Sequence, residues 1–151
     1  MNQRGARARF VAVAAASRLG EEPPRLKRGP QATGSPEAAS MVVEGPGFSD
    51  LIIWQPEELP DQGGRALAAG AMKTDALLAM VRTAPDGRIL GYVMGDGTSL
   101  EYGGRVLASS KRACSVVADE SGVQTGATRR ARQGLPPLAA EVTAWRPGGT
   151  R

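Results

Sequence analysis

The stretch that decides the fold runs from Arg88 to Ala118 and reads RILGYVMGDGTSLEYGGRVLASSKRACSVVA. Its runs of strand-forming residues are separated by Gly95-Asp96-Gly97 and by Gly103-Gly104. Glycine and aspartate accept the positive φ angles that tight hairpin turns require. The stretch therefore predicts a β-meander of short antiparallel strands.

Alternation along the meander predicts which side chains face the core, because successive residues of a strand point to opposite faces. The residues expected to share the inward face are Leu90, Tyr92, Met94, Leu100 and Tyr102. Ser99 and Glu101 should then face water.

Residues 65–82, just before the meander, are rich in alanine, leucine and methionine, which favour the α-helix. The residues that fall roughly along one helical face are Leu67, Ala71, Leu78 and Val81. We predict one helix here, starting at Arg65, or at Ala76 with Asp75 as its N-cap. A competing interpretation makes Leu77–Thr83 a strand of a hairpin closed at Pro85-Asp86-Gly87, which is a strong turn signal.

The segment upstream of the helix contains a second strand candidate. Asp50-Leu-Ile-Ile-Trp54 is a dense apolar run that ends before Pro56, which cannot continue a hydrogen-bonded ladder. Residues 57–64 read as an acidic loop. Order is expected to begin near Met41, because residues 20–40 are proline-rich and too poor in apolar side chains to offset the entropy of ordering.

These patterns together predict a small α+β fold, with one helix laid on an antiparallel meander. The predicted division is a basic, Pro/Gly-rich N-terminal arm and linker over residues 1–40, a domain over 41–120 and a basic C-terminal tail over 121–151. Both ends are expected to be flexible. A chain of 151 residues is of single-domain size, and its 4% aromatic content indicates a small core.

The composition excludes several kinds of catalytic site. The chain has no histidine, which removes Ser-His and Cys-His pairs and histidine-ligated metals. Its one cysteine, Cys114, allows neither an intrachain disulfide nor a cysteine-cluster metal site, and its apolar surroundings predict a buried, inert thiol. We therefore predict no metal and no cofactor, and an intracellular, reducing compartment.

Charge is segregated along the chain. Residues 1–28 carry a net charge of +5, residues 29–105 carry −5 and residues 106–151 carry +4. Arginine supplies 16 of the 19 basic residues, which points first to coding bias and second to bidentate contacts with phosphate or carboxylate. The basic ends could fold back on the acidic middle or reach an external polyanion.

The N-terminal segment carries Arg4, Arg7 and Arg9 before its first acidic residue, Glu21. Such a segment is typical of an organelle transit peptide, while its short apolar run also fits a minimal secretory signal. We prefer a basic arm that is not cleaved, and keep organelle import as the alternative. No apolar run reaches the length needed to cross a bilayer, so no membrane span is predicted.

A second basic cluster follows the meander, at Arg129, Arg130 and Arg132. Such a cluster binds nucleic-acid phosphate or an acidic protein face, although the aromatic residues that usually stack on bases are missing from it. Trp145 is a lone aromatic in the C-terminal tail, and we expect it either to dock on the core or to anchor a partner.

The leading hypothesis is a non-catalytic interaction or assembly protein that docks on a larger partner through its basic ends. The alternative is a nucleic-acid-associated accessory protein that binds RNA within a ribonucleoprotein assembly. A third hypothesis, a small enzyme without histidine, requires a concave pocket that collects several carboxylates from Asp86, Asp96, Glu101 and Asp119. The sequence contains neither a P-loop nor a calcium-binding loop.

Overall fold

The computed structural model describes residues 22–56, 65–127 and 142–148, and within these ranges every regular element is a β-strand. The ten strands are β1 (Arg25–Arg28), β2 (Ala39–Gly45), β3 (Phe48–Trp54), β4 (Leu67–Ala69), β5 (Met72–Thr74), β6 (Leu78–Thr83), β7 (Ile89–Tyr102), β8 (Arg105–Asp119), β9 (Gly122–Ala127) and β10 (Val142–Ala144). All of them pair antiparallel in one sheet that curls into a half-barrel. The α+β prediction is therefore wrong, because the described part of the chain contains no helix.

The predicted helix over residues 65–82 is replaced by three strands. A turn at Gly70, whose φ is +56°, joins β4 to β5, and a helix cannot pass through that conformation. In β6, Ala79 and Val81 are fully buried while Leu78 is 42% exposed, which is the two-residue period of a strand. The competing hairpin interpretation agrees with the structure, since β6 and β7 pair on either side of the turn at residues 84–88.

Strands β7 and β8 are much longer than the short meander strands that the sequence predicts. Gly103 and Gly104 form the expected tight turn between them, with φ angles of +58° and +79°. Gly95-Asp96-Gly97 does not form a turn; β7 continues through it as an irregularity in the pairing with β8. Only Asp96 of the three has a positive φ, 53°, so the segment bends the strand instead of reversing it.

Because β7 bends, β7 and β8 each pair with different strands in their first and second halves. The first half of β7 pairs with β6, and its second half pairs with β5. Likewise, β8 pairs with β10 near its start and with β9 near its end. The largest fully buried side chains come from both halves and include Ile53, Met72, Tyr92, Met94, Leu100 and Leu107. The inward orientation predicted for Tyr92, Met94 and Leu100 is confirmed, and Tyr102 packs partly buried against the same core. The prediction for Leu90 is wrong, because a register shift at the start of β7 lets Ile89 pack on the core while Leu90 lines an open groove.

The sheet includes strands on both sides of residues 41–120. Strand β1 pairs with β2, and Thr33 bridges to Ala68 of β4, within the range predicted to be a flexible linker. Strands β9 and β10 pair with β8, within the range predicted to be a tail. The sequence did not predict these strands because backbone hydrogen bonds to the central strands hold them in place, and not apolar side chains of their own.

Candidate functional site

The middle of β8 carries two consecutive basic residues, between the segment that pairs with β10 and the segment that pairs with β9. Residues 108–110 of β8 pair with β10, and residues 114–119 pair with β9. Lys111 and Arg112 lie between these two paired segments, and we call them the basic bend. Lys111 is exposed and Arg112 is partly buried. The bend therefore presents at least one solvated cation at a fixed place on the sheet.

The chain between β9 and β10 is anchored at both ends beside the basic bend. Ala127, the last residue of β9, is opposite Cys114, and Val142, the first residue of β10, is opposite Ser110. The intervening residues, 128–141, contain Arg129, Arg130 and Arg132 and lie outside the described residues. The two residues that flank this segment in the described structure therefore both pair with β8 close to Lys111 and Arg112.

The acidic side chains of the sheet are largely engaged by neighbouring basic side chains. The Asp50 carboxylate accepts two hydrogen bonds from the Arg82 guanidinium, at 2.7 and 2.8 Å, and the guanidinium also stacks 4.2 Å from the centre of the Phe48 ring. Further ion pairs among the described residues include Glu22–Arg25 (2.7 Å), Glu44–Lys27 (2.6 Å), Glu101–Lys73 (3.3 Å), Glu120–Arg88 (3.7 Å) and Asp86–Arg88 (3.9 Å). Little acidic charge on the sheet therefore remains to attract the basic ends.

Two further carboxylates are engaged by hydrogen-bond donors of the chain itself. Asp75 accepts from the backbone N–H groups of Thr98 and Ser99, each at 2.8 Å, and from both of their hydroxyls. Asp119 accepts from the hydroxyl and backbone N–H of Ser121, and these bonds hold the pKa of Asp119 below its usual value. The Asp75 carboxylate therefore holds the backbone of β7 at Thr98 and Ser99, and the Asp119 carboxylate holds the turn that contains Ser121.

The thiol of Cys114 and the hydroxyl of Tyr92 are buried. Cys114 is fully buried in the core, and this burial raises the pKa of its thiol above the usual value. Tyr92 is 1% exposed, and burial raises the pKa of its hydroxyl to about 12. Both groups stay protonated near neutral pH, which is the less reactive form of each.

Two of the open grooves on the described surface contain acidic side chains, and neither brings together several of Asp86, Asp96, Glu101 and Asp119. The larger of the two, of about 550 Å³, is lined by Asp119 and Glu120 beside Arg82 and Gly91. The smaller, of about 340 Å³, contains Glu101 with its ion-pair partner Lys73. Among the described residues, no group of three or more histidine, cysteine or acidic side chains is arranged to hold a metal ion.

Trp145 lies against the core. Its backbone N–H donates to the Leu107 carbonyl at 2.7 Å, and its ring packs on the core cluster. The Arg105 guanidinium stacks over the ring, 4.9 Å from its centre. Of the two alternatives open for Trp145, the structure shows docking on the core, while a role in anchoring a partner stays a prediction.

The remaining predicted site residues fall outside the described ranges. Arg4, Arg7 and Arg9 precede residue 22, and the cluster at 129–132 falls between β9 and β10. Sequence reasoning missed the basic bend as part of a site. Lys111 and Arg112 are 17 or more residues away from that cluster along the chain, and only the pairing of β8 with both β9 and β10 relates them.

No protein-family model matches this chain, and no curated protein matches it either. None of the described residues forms a helix of the length and hydrophobicity that a membrane crossing requires.

Proposed function

We propose that this protein is a non-catalytic assembly protein that docks on an acidic surface of a larger protein through its cationic segments. The observation that supports the proposal is the engagement of most described carboxylates by other groups of the sheet, together with the pairing of Ala127 and Val142 with β8 beside the basic bend. We therefore expect the positive charge of Arg129, Arg130 and Arg132 to be available for a partner.

The distribution of charge supports this proposal. The described residues include eleven basic and ten acidic side chains, so their net charge is +1. The whole chain has a net charge of +4, so the ranges outside the description contribute +3. Because the sheet is nearly neutral, we expect the cationic segments to be attracted more strongly to an external polyanionic surface than to the sheet of their own chain.

An acidic protein surface is favoured over RNA as the partner. Sequence-tolerant binding of single strands usually combines basic residues with exposed aromatic rings on which bases stack. The Trp145 ring is covered by Arg105 on one side and packs on the core, and both tyrosines contact the core. RNA binding is the alternative outcome of the test. An intracellular location with organelle import as a variant stays a prediction.

The test is retention of a nuclease-treated cell extract on the immobilised chain at increasing salt. We expect a specific protein to be retained by the wild type and lost with the R129A/R130A/R132A variant. The matched control is R129K/R130K/R132K, which keeps three positive charges at the same positions and should keep retention. Retention that disappears after nuclease treatment supports the RNA alternative, and equal retention by both variants refutes docking through residues 129–132.

A further inference from the structure

One face of the sheet carries a row of apolar side chains that do not belong to the core. The row crosses five adjacent strands, and each member is the cross-strand partner of the next, in the order Met41 (β2), Ile52 (β3), Met80 (β6), Val93 (β7) and Val117 (β8). Val117 is 45% exposed, and the other four side chains are partly exposed. None of the five is part of the core cluster. We call these five residues the outer row.

The outer row points away from the core. In β6, β7 and β8 the residues before and after each member of the row are buried, as Ala79 and Val81 are on either side of Met80. An antiparallel sheet with one face in water usually has polar side chains on that face. Apolar residues at the outward positions of five successive strands therefore indicate a face that a partner covers.

We propose that this face packs against the same face of a second copy of the chain, about a two-fold axis that runs parallel to β6 in the plane between the two sheets. Strand β6 is the fourth of the seven strands in the order β1-β2-β3-β6-β7-β8-β9, so the axis lays β3 over β7 and β2 over β8 of the second copy. Met80 then faces Met80, Ile52 faces Val93 and Met41 faces Val117. The interface is isologous, with two sheets packed face to face.

The other outward residues near the axis are compatible with this packing. Trp54 pairs with Leu78, which is 42% exposed, and Leu78 pairs with Gly95. In the dimer Leu78 faces Leu78, and Trp54 faces Gly95 of the second copy, so a large side chain lies opposite a residue that has none. On the other side of Met80, Arg82 donates two hydrogen bonds to the Asp50 carboxylate, and this pair brings no net charge to the axis.

The two ends of the outer row carry opposite net charge, and this favours a second copy as the partner. The β1 end is net positive, with Arg25, Lys27 and Arg28 beside Glu22 and Glu44. The opposite end, at the turn between β8 and β9, is net negative, with Asp86, Asp119 and Glu120 beside Arg88. The proposed axis lays the positive end of each copy over the negative end of the other, whereas an axis at right angles to β6 would bring like charges together. The face is therefore complementary to itself.

Two of these charges lie on the outward face itself. Arg28 is exposed and is the cross-strand partner of Met41, while Asp119 is exposed and follows Val117 by two residues. A uniformly acidic surface, which is the partner under the proposed function, would be repelled at Asp119. This inference therefore does not rest on the proposed function.

Charged variants at Met80 test the two-fold axis by sedimentation equilibrium of the full chain. In M80E or M80K alone, like charges meet at the axis, whereas an equimolar mixture of the two brings a glutamate opposite a lysine. We expect a dimer for the wild type, association at least about tenfold weaker for each variant alone, and recovery of the dimer in the mixture. The matched controls are V106E and V106K, which change a 56% exposed valine in the part of β8 before the basic bend and should remain dimeric.

Cross-linking provides a second measurement that does not depend on a charged variant. The M80C variant places two thiols on either side of the axis, within reach of a bis-maleimide that spans about 10 Å, the distance between packed sheets. The native Cys114 is fully buried. We expect a cross-linked dimer for M80C and none for V106C.

Circular dichroism and thermal unfolding of each variant separate loss of the dimer from loss of the fold. Folded, monomeric M80E and M80K that form a dimer when mixed support the proposal. A wild type that is monomeric at its highest soluble concentration overturns it. Folded M80E that stays dimeric, a mixture that recovers no dimer, or equal cross-linking of M80C and V106C also overturns it.

Discussion

The Tyr92 hydroxyl links the core to the C-terminal strand, and its removal gives a prediction with a defined size. The hydroxyl oxygen lies 2.8 Å from the carbonyl oxygens of both Leu107 and Trp145. The Leu107 carbonyl also accepts from the Trp145 backbone N–H, so it keeps a donor when the hydroxyl is removed. We expect Y92F to lower the free energy of unfolding by about 1 kcal/mol near neutral pH, the net value of one hydrogen bond.

This difference should depend on pH because burial raises the pKa of Tyr92 to about 12. In the unfolded chain the pKa of tyrosine is about 10, which is the value of model peptides. Above that pH the unfolded state has lost a proton that the folded state keeps, so the free energy of unfolding of the wild type falls. The fall is about 1.4 kcal/mol per pH unit and ends near the folded pKa. Phenylalanine has no such proton, so the advantage of the wild type should vanish at about pH 11.

The assay is urea unfolding of both proteins, followed by circular dichroism between neutral pH and about pH 11. Burial also raises the pKa of Cys114, but this thiol is present in both proteins and its contribution cancels in the difference. A difference between wild type and Y92F that stays constant across this range would refute the linkage between the buried hydroxyl and stability.

Two further predictions concern the bend of β7. Replacing Asp75 by alanine leaves two backbone N–H groups of β7 without their acceptor and should lower the free energy of unfolding by about 2–4 kcal/mol. The D75N variant should lose less stability, because its amide oxygen can still accept both hydrogen bonds. Equal losses for the two variants in urea unfolding would contradict this prediction. A Cβ at Gly97 would lie 2.7 Å from Ala76, so G97A should cost about 1–3 kcal/mol, while G95A, whose Cβ would meet ordinary contacts at 3.5 Å, is the control. Equal melting temperatures for G97A and G95A would show that the close approach does not constrain the bend.

The sequence predicted the antiparallel centre where turn chemistry and alternation agreed. Gly103-Gly104 closes the hairpin that was predicted there, Pro85-Asp86-Gly87 closes the hairpin of the competing interpretation, and the two-residue period around Tyr92 identified buried side chains. The prediction over 65–82 failed because alanine favours a helix locally, whereas here Ala79 is fully buried on the inward face of strand β6. Tertiary packing decided the conformation against local propensity.

The Gly-Asp-Gly sequence at residues 95–97 shows why a turn signal alone is insufficient. The same residue types occur in turns that reverse the chain and in bulges within a strand, and which of the two forms depends on what packs against the backbone. Gly97 lies against Ala76, a contact 21 residues away in sequence, and Asp75 holds the following residues in place. Neither contact can be read from the local sequence. The long strands that result are what allow β8 to bind two different partners.

Charge segregation along the sequence has a different meaning once the strands are paired. The acidic middle predicts a surface for the basic ends to fold back on, but Asp50, Glu44 and Glu101 each lie beside a basic residue from the same sheet. The exposed pairs of Glu44 and Glu101 contribute little to stability, yet all three pairs cancel the local field. The net positive charge of the chain is therefore left mainly to its terminal segments and to the connection between β9 and β10. The residues on either side of that connection, Ala127 and Val142, both pair with β8 next to the basic bend, and this is the placement on which the proposed docking on one partner depends.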